Sequence, residues 1–176
     1  MIETARLRLR PLNDADMKPF AGMLTNPEVM RYVSPAPVPQ ADAEVAAAHY
    51  RRQQETNGYG WLAMEVTGGA SFAGIILLQD VEFQAAFTPA LEVGWLLLPD
   101  HWGKGYATEG ARAAIDYAFA TLKRDEVVAL TPAINVPSQR VMERLGMTHD
   151  PVDDFDHPHV SGSPLGRCVL YRTKRS

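Results

Sequence analysis

The chain has a single cysteine, Cys168, among its 176 residues, which excludes an intramolecular disulfide framework and fits a reducing compartment. It has no apolar run long enough to span a bilayer, and Met1-Ile2-Glu3 does not begin a signal peptide. Its net charge of -4 gives no electrostatic basis for binding nucleic acid. These shortages predict a cytoplasmic protein whose partners are neither membranes nor nucleic acids.

Metal ligands are also scarce. His157 and His159 lie close together, but neither a cysteine nor a third histidine stands at ligand spacing, so no metal site is predicted. Residues 152–165 are acidic and rich in histidine and proline, which is typical of a hydrated loop. Repeats, low-complexity tracts and linkers are missing. We therefore expect a single domain over residues 1–176, whose 46% hydrophobic content can supply a core.

What is present is concentrated in residues 91–122. Apolar residues alternate from Leu91 to Leu97 with further leucines between them, which predicts a buried strand that ends at Pro99. The glycine pair Gly103 and Gly105 follows, and a helix is predicted from about Tyr106. A strand, a glycine turn and a helix start form an arrangement that can bind an anion on unpaired amides. The dinucleotide and P-loop fingerprints are both incomplete here, and a purely structural turn is the alternative.

A longer string decides between these alternatives. EVGWLLLPDHWGKGYATEG resembles the acyl-CoA-binding core of the GNAT N-acetyltransferases, closest to the ribosomal-protein alanine acetyltransferase (RimJ/RimL-like) branch. The family signature Q/R-x-x-G-x-G/A falls on residues 102–107, with Trp102 in the place of Gln or Arg. A second family element matches Asn135, Ser138 and the segment Leu145-Gly146-Met147. Two motifs in the right order make the resemblance specific.

The resemblance implies a fold, a reaction and a co-substrate. The fold would be α/β, with a mixed and mostly antiparallel central sheet that is flanked by helices and splayed at its central strands. The chain would be an enzyme that transfers the acetyl group of acetyl-CoA to a primary amine, either a protein N-terminus or a small molecule, by direct attack in a ternary complex. The alternative is a non-catalytic acyl-CoA sensor on the same fold. The acceptor amine stays open, and a homodimer is compatible with the sequence.

The site residues follow from matching the family pattern. The resemblance implies that CoA is held by Leu96, Leu97, Leu98, Trp102, Gly103, Lys104, Gly105, Tyr106, Ala107, Thr108, Asn135 and Ser138. Glu92 is the candidate general base, since an ammonium group must lose a proton before it attacks, and a paired surface glutamate is the alternative. Ser138 would act on the thioester sulfur, with a helix-capping role as its alternative. Met142 stands where many relatives carry a tyrosine acid.

Other segments give simpler expectations. Helices are predicted over residues 15–24 and 40–55, the second with Ala41, Val45 and Ala48 facing inward. A hairpin is expected from Trp61–Val66 into 72–81, a short strand at 127–130, a helix beginning at Pro137 and a closing strand at 168–171. Arg6, Arg8 and Arg10 read as a solvated strand face, and Cys168 as a core residue rather than a nucleophile.

Overall fold

The computed structural model describes residues 1–175. A sheet of nine strands crosses the molecule. Its strands are β1 (Ile2–Glu3), β2 (Leu7–Pro11), β3 (Trp61–Val66), β4 (Gly74–Asp80), β5 (Leu91–Leu97), β6 (Glu126–Pro132), β7 (Thr148–His149), β8 (Phe155–Asp156) and β9 (Arg167–Lys174). The helices are α1 (Asp14–Thr25), α2 (Pro27–Met30), α3 (Gln40–Asn57), α4 (Tyr106–Ala120) and α5 (Val136–Arg144).

The sheet is mixed and mostly antiparallel. Its order is β1-β2-β3-β4-β5-β6-β9-β7, and β8 pairs with β9. Every pairing is antiparallel except that between β5 and β6, which α4 connects. The predicted fold class is confirmed, and the parallel pair places the helix start of α4 beside the ends of the two central strands.

The two faces of the sheet carry separate hydrophobic layers. Successive residues of β4 alternate between them, because side chains along a strand point to opposite faces. Ile76 and Leu78 pack with α4 and α5, whereas Ile75 and Leu77 pack with α1 and α3. The continuous apolar run Ile75–Leu78 thus reflects a strand buried on both sides.

A close approach of α4 to the sheet depends on Gly110. An added Cβ at this position would lie 2.9 Å from Cγ1 of Ile76, so the helix could not sit at this depth with a larger residue. The buried residues Ala111, Ala114 and Ala118 extend the same small-residue contact along the helix. This packing positions the first turn of α4, and the glycine turn before it, against the central strands.

Most helix boundaries predicted from local sequence signals lie within a few residues of the observed ones. Asn13 caps α1 through a capping box with Asp16. Asn26 ends α1 and caps the short helix α2, which the sequence analysis did not predict. Gly146 follows α5 with a φ of 76°, the left-handed conformation that commonly ends a helix.

Three expectations were wrong in detail. The inward face of α3 is formed by Ala43, Ala47 and Gln54, while Val45 is 67% exposed, because the alanine-rich helix offers little contrast between its faces. The side chain of Arg10 is only 14% exposed, since it pairs with Asp16 and Glu65 instead of facing water. The predicted loop 152–165 contains the short strand β8, which pairs with β9.

Candidate active site

A cavity of about 800 Å³ opens where β5 and β6 separate. The two strands pair at a single register, between Glu92 and Val128. Beyond this pair, residues 93–97 of β5 and 130–132 of β6 both line the cavity instead of bonding to each other. The gap agrees with the predicted splay of the central strands, and it leaves one edge of β5 open to a ligand.

Two ends of this cavity can be defined along β5. The turn end contains Gly103, Gly105, Ala107 and Thr108, just after the strand, and the carboxylate end contains Trp61, Leu77, Glu92 and Gly94 near its beginning. Leu97 lies five positions after Glu92 on the strand, a span of about 17 Å at the usual rise per residue. A bound molecule that reaches both ends must therefore be long.

The turn end is a backbone site. Gly103 and Gly105 have φ values of 71° and 80°, a conformation that side chains rarely tolerate. Gly105 is the N-cap of α4, and none of the side chains in residues 1–175 caps this helix start. The unpaired first-turn amides and the positive end of the helix dipole therefore favour an anion at this position.

Trp102 anchors the turn to the central strand. Its indole Nε1 donates a hydrogen bond of 2.8 Å to the carbonyl of Leu97 at the end of β5. The side chain also lines the cavity. Trp102, which stands in place of the family's Gln or Arg, thus joins the turn to the end of β5 through its ring nitrogen.

Asn135, Ser138 and Thr131 form a hydrogen-bonded cluster at the start of α5. The two hydrogens of the Asn135 amide are donated to Thr131 Oγ1 at 2.8 Å and to Ser138 Oγ at 2.9 Å. The Asn135 oxygen accepts from the Ser138 backbone amide at 3.3 Å, so Asn135 also caps the helix. Since Ser138 Oγ accepts from Asn135, its own hydroxyl hydrogen is free to be donated to another group.

Glu92 carries an unusual proton affinity. Its side chain lines the cavity, and burial raises its pKa to about 7 although a hydrogen bond from Gln79 lowers it. Gln79 Nε2 donates to Glu92 Oε2 at 3.4 Å, while Gln79 Oε1 accepts from Trp61 Nε1 at 2.9 Å. The indole N–H thereby orients the amide so that its donor faces the carboxylate. A carboxyl group with a pKa near neutrality can exchange protons at physiological pH.

Cys168 and Met142 also line the cavity. Burial, followed by the negative charge of Glu92, raises the pKa of the Cys168 thiol to about 11, so it remains protonated. Met142 is buried at the position where a tyrosine was expected, and it offers no proton. Cys168 is a core residue of β9, as predicted, and its accessibility from the cavity was not foreseen.

An aromatic cluster stands beside the cavity. Phe83 and Phe87, between β4 and β5, pack against Phe155, with ring centroids 5.9 and 5.0 Å from it. His157 joins the cluster at 4.7 Å from Phe83 and lines the cavity. Burial, and then the nearby His159, lower the pKa of His157, which keeps it neutral at pH 7. His157 is therefore part of an aromatic wall, whereas His159 is exposed in a turn, in agreement with the predicted hydrated loop.

The structure brings most of the predicted site residues to one cavity. Glu92 and ten of the proposed CoA-binding residues line it, the ten being Leu96, Leu97, Trp102, Gly103, Gly105, Tyr106, Ala107, Thr108, Asn135 and Ser138. Leu98 and Lys104 do not line it. Sequence reasoning missed Trp61, Gln79 and His157, which lack a local motif and come together only through the sheet.

Residues 1–175 hold neither a cluster of metal-ligating side chains nor a membrane-spanning helix. No group of three His, Cys, Asp or Glu side chains is arranged to hold a metal ion. In the same residues, none of the helices is both long and apolar enough to cross a bilayer.

Comparison with known proteins places this geometry in context. A family model described as an acetyltransferase (GNAT) domain matches residues 6–148. The chain is 35% identical over 150 residues to the uncharacterised protein YkkB of Bacillus subtilis, covering 82% of this chain and 83% of YkkB. It is 32% identical over 167 residues to the FsC-acetyl coenzyme A-N(2)-transacetylase of Aspergillus fumigatus, covering 93% of this chain and 70% of that protein.

A solved structure resembles the fold over its full length. The acetyltransferase from Agrobacterium tumefaciens aligns with 99% of this chain and 94% of its own, at 29% identity and a TM-score of 0.78. The similarity therefore includes the central strands, the glycine turn and both layers of helices.

Proposed function

Because this chain belongs to the GNAT family of acetyltransferases, we propose that it transfers the acetyl group of acetyl-CoA to a primary amine by direct attack in a ternary complex. One observation carries the proposal: a single cavity joins an uncapped glycine turn to a carboxyl group whose pKa is about 7. The turn suits the diphosphate of a CoA thioester, and the carboxyl group suits an amine that must be deprotonated.

The donor would bind along β5. The diphosphate would contact the amides of residues 103–108, where neither glycine presents a side chain to the ligand. The pantetheine arm would hydrogen-bond to the open edge of β5 at Leu96 and Leu97, as an added strand does, because β6 diverges from β5 there. Arg140 and Arg144 of α5 also line the cavity and would add positive charge for the phosphates.

Glu92 would serve as the general base. The amine arrives as an ammonium ion, and a carboxylate with a pKa near 7 is both partly ionised and basic enough to accept its proton, directly or through a water molecule. No lysine or arginine of the described chain forms an ion pair with Glu92, and the incoming ammonium would supply its counter-charge.

The transfer itself balances without a covalent enzyme intermediate. The amine nitrogen attacks the thioester carbonyl carbon, the N–C bond forms, and the C–S bond breaks as the CoA thiolate leaves. The nitrogen gives up two protons in all: the ammonium proton passes to Glu92 before the attack, and the second passes from the nitrogen of the tetrahedral adduct to the CoA thiolate, so that CoA departs as a thiol. The Ser138 hydroxyl, whose hydrogen is free, would donate to the departing sulfur, and a backbone amide near Leu96 would polarise the carbonyl.

The charges in the cavity bear on the acceptor. Its acidic lining residues are Glu28 and Glu92, and the basic residues Arg31, Arg140 and Arg144 line it as well. A polycationic amine would need several carboxylates, so this lining favours an acceptor with one ammonium group on an apolar or aromatic body. A small monoamine and a protein N-terminus both satisfy this description. Placement in the RimJ/RimL-like branch, which would favour the second, stays a prediction.

An acetyl-CoA consumption screen tests the proposal. Purified protein would be mixed with acetyl-CoA and monoamines, polyamines or N-terminal peptides, and free thiol release would be followed. Turnover that is greater with monoamines or peptides than with spermidine is the expected result. Tight binding of acetyl-CoA without turnover of any amine would instead identify a non-catalytic acyl-CoA sensor. Absence of binding would refute both.

A further inference from the structure

The side chain of Arg6 extends to the glycine turn. It precedes β2, and its Nη1 donates to the carbonyl of Lys104 at 2.9 Å. Its guanidinium carbon lies 4.9 Å from the centre of the Tyr106 ring. One side chain thereby contacts the middle of the turn and the first residue of α4.

Glu109 in the first turn of α4 holds Arg6 in this position. Arg6 Nε and Nη2 donate to Glu109 Oε2 at 2.7 and 2.6 Å, and the Arg6 backbone amide and Thr4 Oγ1 donate to Oε1 at 2.9 and 2.6 Å. Burial alone would raise the pKa of Glu109, but these hydrogen bonds from Thr4 and Arg6 lower it. Glu109 is therefore ionised at neutral pH, and the guanidinium is fixed by a fork-like pair.

The turn needs such a support. Glycines at positions 103 and 105 leave room for a ligand, but they also let the peptide groups between them rotate at little cost. Among the described residues, the hydrogen bond from Arg6 is the one that a side chain makes to the backbone of residues 103–105. Without this hydrogen bond the turn would sample other conformations when it is empty. Ordering it again would then reduce the free energy of donor binding.

The geometry explains what the contact achieves. In a planar trans peptide the C=O of Lys104 and the N–H of Gly105 point in opposite directions. With the carbonyl held by Arg6, the Gly105 amide is turned away from Arg6. Gly105 lines the cavity and Arg6 does not, so this amide is directed to the cavity side.

We infer that Arg6 is a positioning residue for the donor: by bridging Glu109 and the Lys104 carbonyl, it holds the glycine turn in the form that receives the diphosphate of CoA. The inference rests on the proposed function. Arg6 acts through the turn and does not touch the ligand. Its contribution depends on the forked geometry of the guanidinium, which can bond to a carboxylate and a carbonyl at once, and not on charge alone.

The test compares donors with and without a diphosphate. Arg6→Ala should raise the Kd for CoA and the KM for acetyl-CoA by about 10-fold to 100-fold, the loss expected when hydrogen bonds from a charged donor are removed. The kcat at saturating acetyl-CoA should be unchanged. With S-acetylpantetheine, a thioester donor that lacks the diphosphate, the variant and the wild type should react equally.

Two further variants separate geometry from charge and from folding. Arg6→Lys keeps the charge but loses the fork, so its KM should lie nearer to that of Arg6→Ala, and it serves as the test if the alanine variant does not fold. Arg8→Ala is the matched control, since Arg8 is similarly exposed and pairs with Glu3 and Glu65 away from the turn. The KM of this control should not change.

Three results would overturn the inference alone: unchanged CoA affinity in folded Arg6→Ala, an equal loss with S-acetylpantetheine, or wild-type behaviour in Arg6→Lys. A wild-type protein that binds no CoA would overturn the proposed function, and the inference with it. In a double-mutant cycle, Arg6→Ala combined with Glu109→Ala should lose little more CoA affinity than either change does singly.

Discussion

The two ends of the cavity are formed by different kinds of chemical group. The turn end consists mainly of backbone amides from one short segment, residues 103–108, to which Arg140 and Arg144 of α5 would add positive charge. The carboxylate end consists of side chains from three strands, with Trp61 on β3, Gln79 on β4 and Glu92 on β5. Binding at the first end depends on conformation, whereas chemistry at the second depends on one proton.

This difference makes the two ends separable by mutation. Changes at the turn should alter the affinity for the donor and spare the chemical step, and changes at the carboxylate end should do the reverse. The physical reason is that the amides interact with a diphosphate that does not change during the reaction, while Glu92 interacts with the reacting nitrogen.

The largest effect is expected at the turn. Gly105→Glu would place a Cβ 3.4 Å from Arg6 Nη2, in a backbone conformation with φ of 80° that disfavours any side chain, so it should distort the turn that receives the anion. Acetyl-CoA binding should be abolished in calorimetry. Gly68→Glu is the control, since Gly68 has a φ of 71° in a hairpin turn and suffers the same backbone strain. Normal affinity in a folded Gly105→Glu variant would refute the turn as the donor site.

Glu92→Gln should come next, with the opposite signature. It keeps the size of the side chain and removes the base, so kcat/KM should fall by roughly 10²–10⁴-fold, the usual contribution of general base catalysis. The Kd for acetyl-CoA should scarcely change. In the wild type, kcat/KM should fall as the pH drops below about 7, where Glu92 becomes protonated. The same pH profile in the variant would show that Glu92 is only structural.

The buried carboxylate of Glu92 should also lower the free energy of unfolding at neutral pH. Glu92 titrates near its ordinary pKa of 4.5 when unfolded and near 7 when folded, so the folded state binds the proton more tightly. The stability of the wild type should therefore decrease as the pH rises from about 4.5 to 7. Above that range Glu92→Gln should be more stable by about 2 kcal/mol, less than the full pKa difference implies because the cavity admits water. Urea denaturation of both proteins at pH 4 and pH 8 (values chosen for the assay) would measure this, and equal differences at both values would contradict it.

Ser138, at the start of α5, also lines the cavity and should have a smaller effect. Ser138→Ala removes the proposed donor to the leaving sulfur and should lower kcat by about tenfold, the value of one moderate hydrogen bond. The KM for acetyl-CoA should change little. With an aryl thioester, whose thiolate leaves without help, the variant should match the wild type. A tenfold loss with both donors would show that Ser138 acts in another way.

Cys168 should matter least, although it lines the cavity. Its thiol has a pKa of about 11, so it is a poor nucleophile, and Cys168→Ala should keep most of the activity. Initial-rate plots against both substrates should intersect. Parallel lines, or an acetyl adduct on the protein detected by mass spectrometry without acceptor, would refute direct transfer.

The contrast between the two ends also marks how far sequence reasoning reached. The strand Trp61–Val66 and the start of α4 at Tyr106 agree with the sequence because their signals are local: alternation of apolar residues, turn glycines and helix periodicity. The prediction of the inward face of α3 was wrong, because a run of small residues gives little contrast in hydrophobicity between the faces of a helix. The residues that bury Ala43 and Ala47 lie elsewhere in the chain. Arg6 is exposed, as predicted, but nothing local indicates that Glu109, far along the chain, would bind it.

The sequence by itself determined the order of the main elements and the location of the turn end, since a strand, two glycines and a helix start interact with one another over a few residues. Only the tertiary structure decided the carboxylate end. The pairing of Gln79 with Glu92 across β4 and β5, the orientation of Gln79 by Trp61 and the burial that raises the Glu92 pKa all arise from contacts across the sheet. A proton affinity depends on every group that surrounds the carboxylate, and those neighbours are chosen by the packing of distant strands rather than by adjacent residues.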